Sequence, residues 1–98
     1  MQFIIRAYDG EGMLDRRMEV RPRHLEGMNR MGRHIICAGG LLDDAGKMKG
    51  SVLVVDFQTR EELDAYLADE PYMLEHVWEE IDIEPLNVVI VKGEKYQR

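Results

Sequence analysis

A histidine interrupts an otherwise apolar face of a predicted helix in the first third of the chain. At about 100° per residue, His24 falls beside Leu25, Met28 and Met31. A neutral imidazole can accept or donate a proton near pH 7, and a neighbouring carboxylate fixes its tautomer and stabilises its cation. This residue type therefore predicts acid–base chemistry at His24. The residues alone leave a second interpretation open, a partly buried histidine that donates to a backbone carbonyl.

Other chemistry-bearing side chains give weaker patterns. His34 and His76 are distant from His24 and from each other in the sequence, and no Cys/His cluster has metal-ligand spacing, so we expect no metal site. Cys37 lies in an apolar run, which favours a core position over a nucleophile. Ser51 follows a glycine at a predicted strand start, where it can line a pocket without the context of a nucleophile elbow.

Positive charge is concentrated around the predicted helix. The net charge is −6, yet residues 1–34 carry seven arginines against five acids, while residues 35–98 carry six basic residues against fourteen acids. Because free N–H groups at a helix start favour anions, this pattern predicts a small anionic ligand held by Arg17 or Arg21. The alternative is a solvated face with surface ion pairs. Nucleic-acid binding is not expected, since such proteins are usually basic overall.

Length and composition are typical of one small globular domain over residues 1–98, with 45% apolar and 33% charged residues. The single cysteine excludes an intramolecular disulfide and indicates a reducing compartment. No apolar run approaches the roughly 18 residues that cross a bilayer, and residues 1–6 do not resemble a signal peptide. We therefore expect a cytoplasmic protein without a membrane partner.

The elements that must position His24 follow from periodicity and turn residues. Residues 2–9 are rich in β-branched and aromatic side chains, which predicts a strand. Residues 10–20 are predicted to form a loop, with one helical turn within it as an alternative. A helix is then predicted to begin at Pro22, whose missing N–H is tolerated in a first turn, and to end at Gly32.

The second half predicts a hairpin, a helix and a strand. Residues 34–42 and 51–58 are predicted strands joined by turn residues. The next helix is predicted to open at Thr59, with a capping box three residues on, and to end before Pro71. Residues 79–91 are predicted to form the last strand, whose internal proline favours a sheet edge.

The resulting order, β-α-β-β-α-β, predicts an α+β fold of the ferredoxin-like type, a four-stranded antiparallel sheet with two helices on one face. The strands 34–42 and 51–57 and the segment 88–91 are apolar at nearly every position, so both sheet faces are expected to be covered. No remaining segment can cover the second face. A second copy of the chain, packed sheet against sheet, is therefore the expected partner.

Five segments carry a resemblance to a known family. They are MLDRRMEVRPRHL (13–25), CAGGLLDD (37–44), GSVLVVDF (50–57), ADEPYM (68–73) and IDIEPL (81–86). The first is similar to a stretch built around Arg-Pro-x-His-Leu, the second to an Ala-Gly-Pro segment with Gly40 at the proline, and the fourth to an Asp-Pro-Tyr motif. Together they resemble the YciI-like family, a branch of the dimeric α+β barrel superfamily, over residues 2 to about 91.

The resemblance implies a ferredoxin-like fold, a dimeric α+β barrel, and a histidine–aspartate pair in a pocket. The family histidine falls on His24 and the family aspartate on Glu70, directly before Pro71 and Tyr72. A glutamate keeps the carboxylate but carries it one methylene further from the backbone. Relatives in the superfamily include isomerases, dehydrochlorinases and monooxygenases that need no metal or bound cofactor, so no cofactor is expected.

Two functions of different classes fit these residues. The first is a small enzyme whose histidine–carboxylate pair transfers a proton, in a lyase, isomerase or hydrolase reaction, on a small acidic organic molecule. The second is a non-catalytic dimeric module that binds a small ligand or partner through the same pocket. The candidate site residues are His24, Glu70, Arg17, Arg21, Ser51 and Tyr72.

Light scattering tests the expected assembly. Because the apolar strands need cover on both faces, the protein at micromolar concentration should have about twice the 11.4 kDa mass of one chain, or a higher multiple. A measured mass near that of one chain would contradict the predicted homodimer or higher homo-oligomer.

Overall fold

A four-stranded antiparallel sheet forms the framework of the protein, for which a computed structural model describes residues 1–97. Its strands are β1 (Gln2–Asp9), β2 (Ile35–Leu42), β3 (Met48–Asp56) and β4 (Trp78–Leu86). They lie in the order β2-β3-β1-β4, and β1 pairs with both β3 and β4. This arrangement confirms the predicted ferredoxin-like α+β fold with the first strand in a central position.

The helices pack on one face of the sheet. They are α1 (Leu14–Met31), α2 (Arg60–Ala68) and the short α3 (Pro71–Leu74), and a 3-10 turn at Gly32–His34 follows α1. Alternate residues of the two central strands are buried against them, as expected for a sheet with one covered face. This core includes Phe3, Ile5, Ala7, Leu53 and Val55 from the sheet and Val20, Leu63, Leu67 and Tyr72 from the helices.

The first helix begins eight residues earlier than Pro22, the start that the sequence predicts, so the predicted loop over residues 10–20 is wrong from residue 14 onward. Pro22 lies inside α1, where its missing N–H removes one backbone hydrogen bond. Buried residues recur at helical spacing on both sides of this proline, so one continuous face packs on the sheet. They are Arg17, Val20, His24 and Gly27. The free energy gained by packing this face on the sheet outweighs the loss of one backbone hydrogen bond at Pro22.

The sequence predicts the edge position of β4 correctly but the burial of a residue on the other edge strand, β2, incorrectly. Pro85 lies within β4, which is an edge strand as its proline predicts. The opposite edge is β2, and there Cys37 is exposed, so its predicted core position is wrong. The sheet face that points away from the helices is covered only in part: the segment over residues 86–92 lines a cavity with Ile36 and Val54, and Ile4, Val52 and Val54 are half-buried. Its cover by a second copy stays a prediction.

The predicted last strand over residues 79–91 is divided in two. After β4 the chain forms β5 (Ile90–Val91), which pairs with β6 (Glu94–Lys95) as a separate two-stranded hairpin. Lys92 and Gly93 connect these strands with φ of 51° and 77°. Two consecutive left-handed residues are typical of a tight hairpin turn, and after it the Tyr96 hydroxyl donates to the Asp56 carboxylate at the end of β3, at 2.7 Å.

The start of α2 follows the predicted capping box. The Thr59 side chain accepts a hydrogen bond from the Glu62 N–H at 3.2 Å. The helix ends before Pro71, as predicted, and Pro71 then occupies the first position of α3, where its fixed φ suits a helix start. Among residues 1–97, no helix is long and apolar enough to cross a membrane.

Substitution of Gly50 by alanine should destabilise the protein. A Cβ at this position would lie 2.4 Å from the backbone carbonyl oxygen of Ala7. This oxygen belongs to β1 and cannot shift without disturbing the pairing of β1 with β3. We expect a loss of about 1–3 kcal/mol in the free energy of unfolding, measured by urea denaturation.

Gly27→Ala is the matched control. A Cβ there meets only the Arg30 guanidinium, at 3.8 Å, so the helix interior should gain about 0.5–1 kcal/mol from the alanine. Equal changes in the free energy of unfolding for Gly50→Ala and Gly27→Ala would show that the close approach of the Ala7 carbonyl to Gly50 does not cause the loss of stability.

Candidate active site

The packing of α1 against the junction of α2 and α3 brings an imidazole and a carboxylate together. The Nδ1 atom of His24 lies 2.6 Å from Oε1 of Glu70. Both side chains are buried, with exposures of 5% for His24 and 1% for Glu70. The partner of this histidine is therefore a carboxylate, not the backbone carbonyl that the alternative interpretation required.

The Glu70 carboxylate is held by two further donors. Its Oε1 accepts the backbone N–H of Tyr72 at 3.1 Å, which caps α3, and its Oε2 accepts the hydroxyl of Tyr66 at 3.0 Å. Burial and the neighbouring carboxylate raise the pKa of the Tyr66 hydroxyl, so this hydroxyl stays protonated and donates. Because the carboxylate acts as an acceptor in both contacts, we assign the hydrogen of the neutral imidazole to Nδ1. The other ring nitrogen, Nε2, is then unprotonated.

A pocket of about 110 Å³ opens beside the histidine, between α1 and strands β2 and β3. Its polar lining comprises Arg17, Arg21, His24, Ser51 and Tyr72, five of the six residues that the sequence singles out. The sixth, Glu70, lies behind the imidazole rather than on the pocket wall. Within residues 1–97, Nε2 of His24 has no hydrogen-bond partner, which leaves this atom for a ligand. The apolar lining comprises Leu25, Met28, Ala38, Met48 and Leu53.

The Arg17 guanidinium is neutralised inside the protein. Its Nη1 lies 2.9 and 3.1 Å from the two carboxylate oxygens of Asp9, and its Nη2 donates to Oγ of Ser51 at 2.7 Å. Burial raises the pKa of the Asp9 carboxyl, while the Arg17 charge acts in the opposite direction. Arg17 is only 3% exposed. It therefore serves first to compensate a buried carboxylate.

Arg21 is the cation that the pocket leaves uncompensated. It is half-buried on α1, lines the pocket, and makes no ion pair with any residue that the structure describes. The sequence left open whether Arg17 or Arg21 faces an anionic ligand. The ion pair of Arg17 with Asp9 distinguishes the two, because it uses the charge of Arg17 inside the fold.

Two aromatic rings fix the plane of the imidazole. The ring of Tyr72 stacks on His24 with centroids 4.1 Å apart and an interplanar angle of 18°, and Trp78 approaches edge-on at 6.0 Å. Burial raises the pKa of the Tyr72 hydroxyl, which donates to the Arg17 carbonyl at 3.4 Å. Tyr72 thus lines the pocket and also packs against the imidazole of His24.

Three supporting residues were not assigned to the site from the sequence. They are Asp9 at the end of β1, which pairs with Arg17, Tyr66 on α2, which donates to Glu70, and Trp78 at the start of β4, which contacts His24. The signal for Tyr66 was its position four residues before Glu70, the spacing of neighbours on a helix face. In residues 1–97, no group of three or more histidine, cysteine or acidic side chains could hold a metal ion.

Comparison with known proteins gives a family match and two groups of relatives. The model of the YCII-related domain family matches residues 1–87. Protein YciI of Escherichia coli O6:H1 is 29% identical, and the match covers 91% of this chain and 99% of that protein. Aspercryptin biosynthesis cluster protein B of Emericella nidulans is 29% identical over 80% of this chain, which spans only 56% of the fungal protein.

Two solved structures share the fold. The 5-chloro-2-hydroxyhydroquinone dehydrochlorinase TftG of Burkholderia phenoliruptrix AC1100, in complex with 2,5-dihydroxybenzoquinone, has a TM-score of 0.82 and 22% identity over 89% of this chain and 94% of that chain. An antibiotic biosynthesis monooxygenase has a TM-score of 0.56 and 14% identity over 91% of this chain and 98% of that chain. At these identities the likeness shows the fold alone.

Substitution of the two arginines should separate their roles. Arg17→Met leaves Asp9 buried without its counter-charge, so we expect a loss of about 3–5 kcal/mol in the free energy of unfolding. Arg21→Met breaks no ion pair among the described residues and should change stability by no more than about 0.5 kcal/mol. Urea denaturation measures both, and similar losses for the two variants would contradict the assignment.

Proposed function

Because the chain belongs to the YCII-related domain family, as its resemblance to YciI-like proteins predicted, we propose that it is a small enzyme that transfers protons through His24. The reaction is of lyase, isomerase or hydrolase type, and the substrate is a small anionic organic molecule. One observation carries the proposal: a buried imidazole contacts a buried carboxylate at 2.6 Å while its other nitrogen is left to the pocket.

The geometry supports a separate role for each of three residues in the proposed proton transfer. The Glu70 carboxylate accepts the Nδ1–H of His24, which orients the ring and stabilises the imidazolium that forms when Nε2 takes a proton. The imidazolium then returns the proton to another atom of the substrate or to a leaving group. Arg21 holds the permanent negative charge of the substrate, because its own charge is uncompensated.

The pocket also favours one class of substrate. Its lining includes Met28 and Met48, whose adaptable side chains suit a flat apolar body. The likeness in fold to a dehydrochlorinase bound to 2,5-dihydroxybenzoquinone supports a planar ring that carries oxygen atoms. Small hydroxyquinones, hydroxybenzoates and cyclic keto acids belong to this class.

We further propose a homodimer in the cytoplasm. The half-buried apolar residues on the outer sheet face support cover by a second copy, packed sheet against sheet. The single cysteine supports a reducing compartment.

Hydrogen–deuterium exchange tests the enzyme proposal. The protein is incubated in D₂O with a panel of small hydroxyquinones, hydroxybenzoates and cyclic keto acids, and deuterium uptake at carbon is followed by NMR. Removal of the acid–base group in His24→Gln should lower the rate of the accepted compound about 10²–10⁴-fold. His76→Asn is the matched control, because His76 is exposed and its φ of 57° suits asparagine. This variant should keep the wild-type rate.

A second variant tests the carboxylate. In Glu70→Gln the amide NH₂ can donate to Nδ1, which would transfer the imidazole hydrogen to Nε2 and lower the rate about 10⁴-fold. The ¹⁵N NMR shifts of His24 report the tautomer directly. Wild-type protein that binds members of the panel without proton exchange would identify a non-catalytic ligand-binding module instead.

A further inference from the structure

A buried serine beside the dyad has an unusual set of hydrogen bonds. Ser51 lies on β3, is 2% exposed, and lines the same pocket as His24. Its Oγ accepts a hydrogen bond from Nη2 of Arg17 at 2.7 Å and from the indole Nε1–H of Trp78 at 3.3 Å. Both partners can only donate, because a guanidinium and an indole N–H have no acceptor. Ser51 is therefore the acceptor in both contacts.

This pattern leaves the hydroxyl hydrogen of Ser51 unused. A hydroxyl has two acceptor positions and one donor, and both acceptor positions are occupied. No group in residues 1–97 accepts a hydrogen bond from this O–H. Since buried polar groups are normally satisfied, the free donor indicates a ligand oxygen in the adjoining pocket.

The two donors also strengthen the hydroxyl as a donor. A hydroxyl that accepts a charge-assisted hydrogen bond is polarised, so its own hydrogen bond becomes stronger. The Arg17 charge that polarises Ser51 is balanced by Asp9, at 2.9 Å. This balance weakens the attraction of Arg17 for a permanently charged group of the substrate. The hydroxyl is thus placed to make its strongest hydrogen bond to a ligand oxygen that carries or gains negative charge.

We propose that Ser51 donates to the oxygen on which negative charge develops when Nε2 of His24 removes a proton from the neighbouring carbon. The electron pair of the broken C–H bond becomes a carbon–carbon double bond, and the carbonyl π pair moves onto the oxygen. The proton resides on Nε2 until it is returned. This inference rests on the proposed function and narrows its substrate class to planar rings with a carbonyl group beside an acidic C–H bond.

Binding of an anionic ring tests the donor without turnover. The probe is 2,5-dihydroxybenzoquinone, which carries negative charge on its oxygens when ionised. Trp78 is the only tryptophan of the chain and donates to Ser51, so quenching of its fluorescence reports the probe at this position. Loss of one hydrogen bond to a charged oxygen should weaken binding about 10–100-fold in Ser51→Ala. The conservative variant Ser51→Thr should restore affinity to within about threefold.

Further measurements separate this inference from the enzyme proposal. Ser51→Ala should lower the rate of deuterium exchange about 10²–10³-fold, as expected when one oxyanion donor is removed. Circular dichroism should show that each variant is folded. Equal affinity of wild type and Ser51→Ala for the probe, or no saturable binding of the probe by wild type, would overturn the role of Ser51. Loss of exchange in His24→Gln would still support the enzyme proposal in that case.

Discussion

The buried carboxylate of Glu70 constrains most of the arrangement around it. A charge that is 1% exposed is tolerated only when its oxygens are fully hydrogen-bonded. The three donors come from three different helices: His24 on α1, Tyr66 on α2 and Tyr72 on α3. The break between α2 and α3 is what allows one side chain to reach all of them. The geometry of the His24–Glu70 pair and the packing of the helices thus follow from one electrostatic requirement.

The sequence predicted the elements of the fold better than their limits. The β-branched and apolar strands, the capping box and Pro71 each have a local cause, so the order of elements along the chain and the second helix could be derived. The start of α1 could not be derived, because Pro22 is a good first-turn residue. The buried face of the helix continues before Pro22, but there it contains Arg17, a charged residue that the sequence does not identify as buried. An arginine becomes a core residue only through its ion pair with Asp9, and that contact joins the helix to the end of β1.

The same reasoning explains which parts of the site could be predicted. The types and approximate location of His24 and Glu70 followed from a helix face and from a family motif. The choice between Arg17 and Arg21 could not be predicted, since it depends on which guanidinium contacts the buried carboxylate of Asp9. The contacts of Ser51 depend on strand register: the pairing of Ala7 with Ser51 places the serine on the helix side of the sheet, where it accepts hydrogen bonds from Arg17 and Trp78. Sequence spacing carries no information on such contacts.

Charge balance connects the two buried pairs with the chemistry. Arg17 and His24 are seven residues apart on α1, about 10.5 Å along its axis, and the ring of Tyr72 lies between them at 4.7 and 4.1 Å. With a neutral imidazole, the formal charges of Asp9, Glu70, Arg17 and Arg21 sum to zero, although only Arg17 and Asp9 form an ion pair. An anionic ligand therefore gives the site a net negative charge, and transfer of a proton from this ligand to His24 leaves that sum unchanged. The transfer therefore moves charge within the site: the imidazolium forms beside the Glu70 carboxylate, and the new negative charge forms on the ligand, where fixed donors can stabilise it.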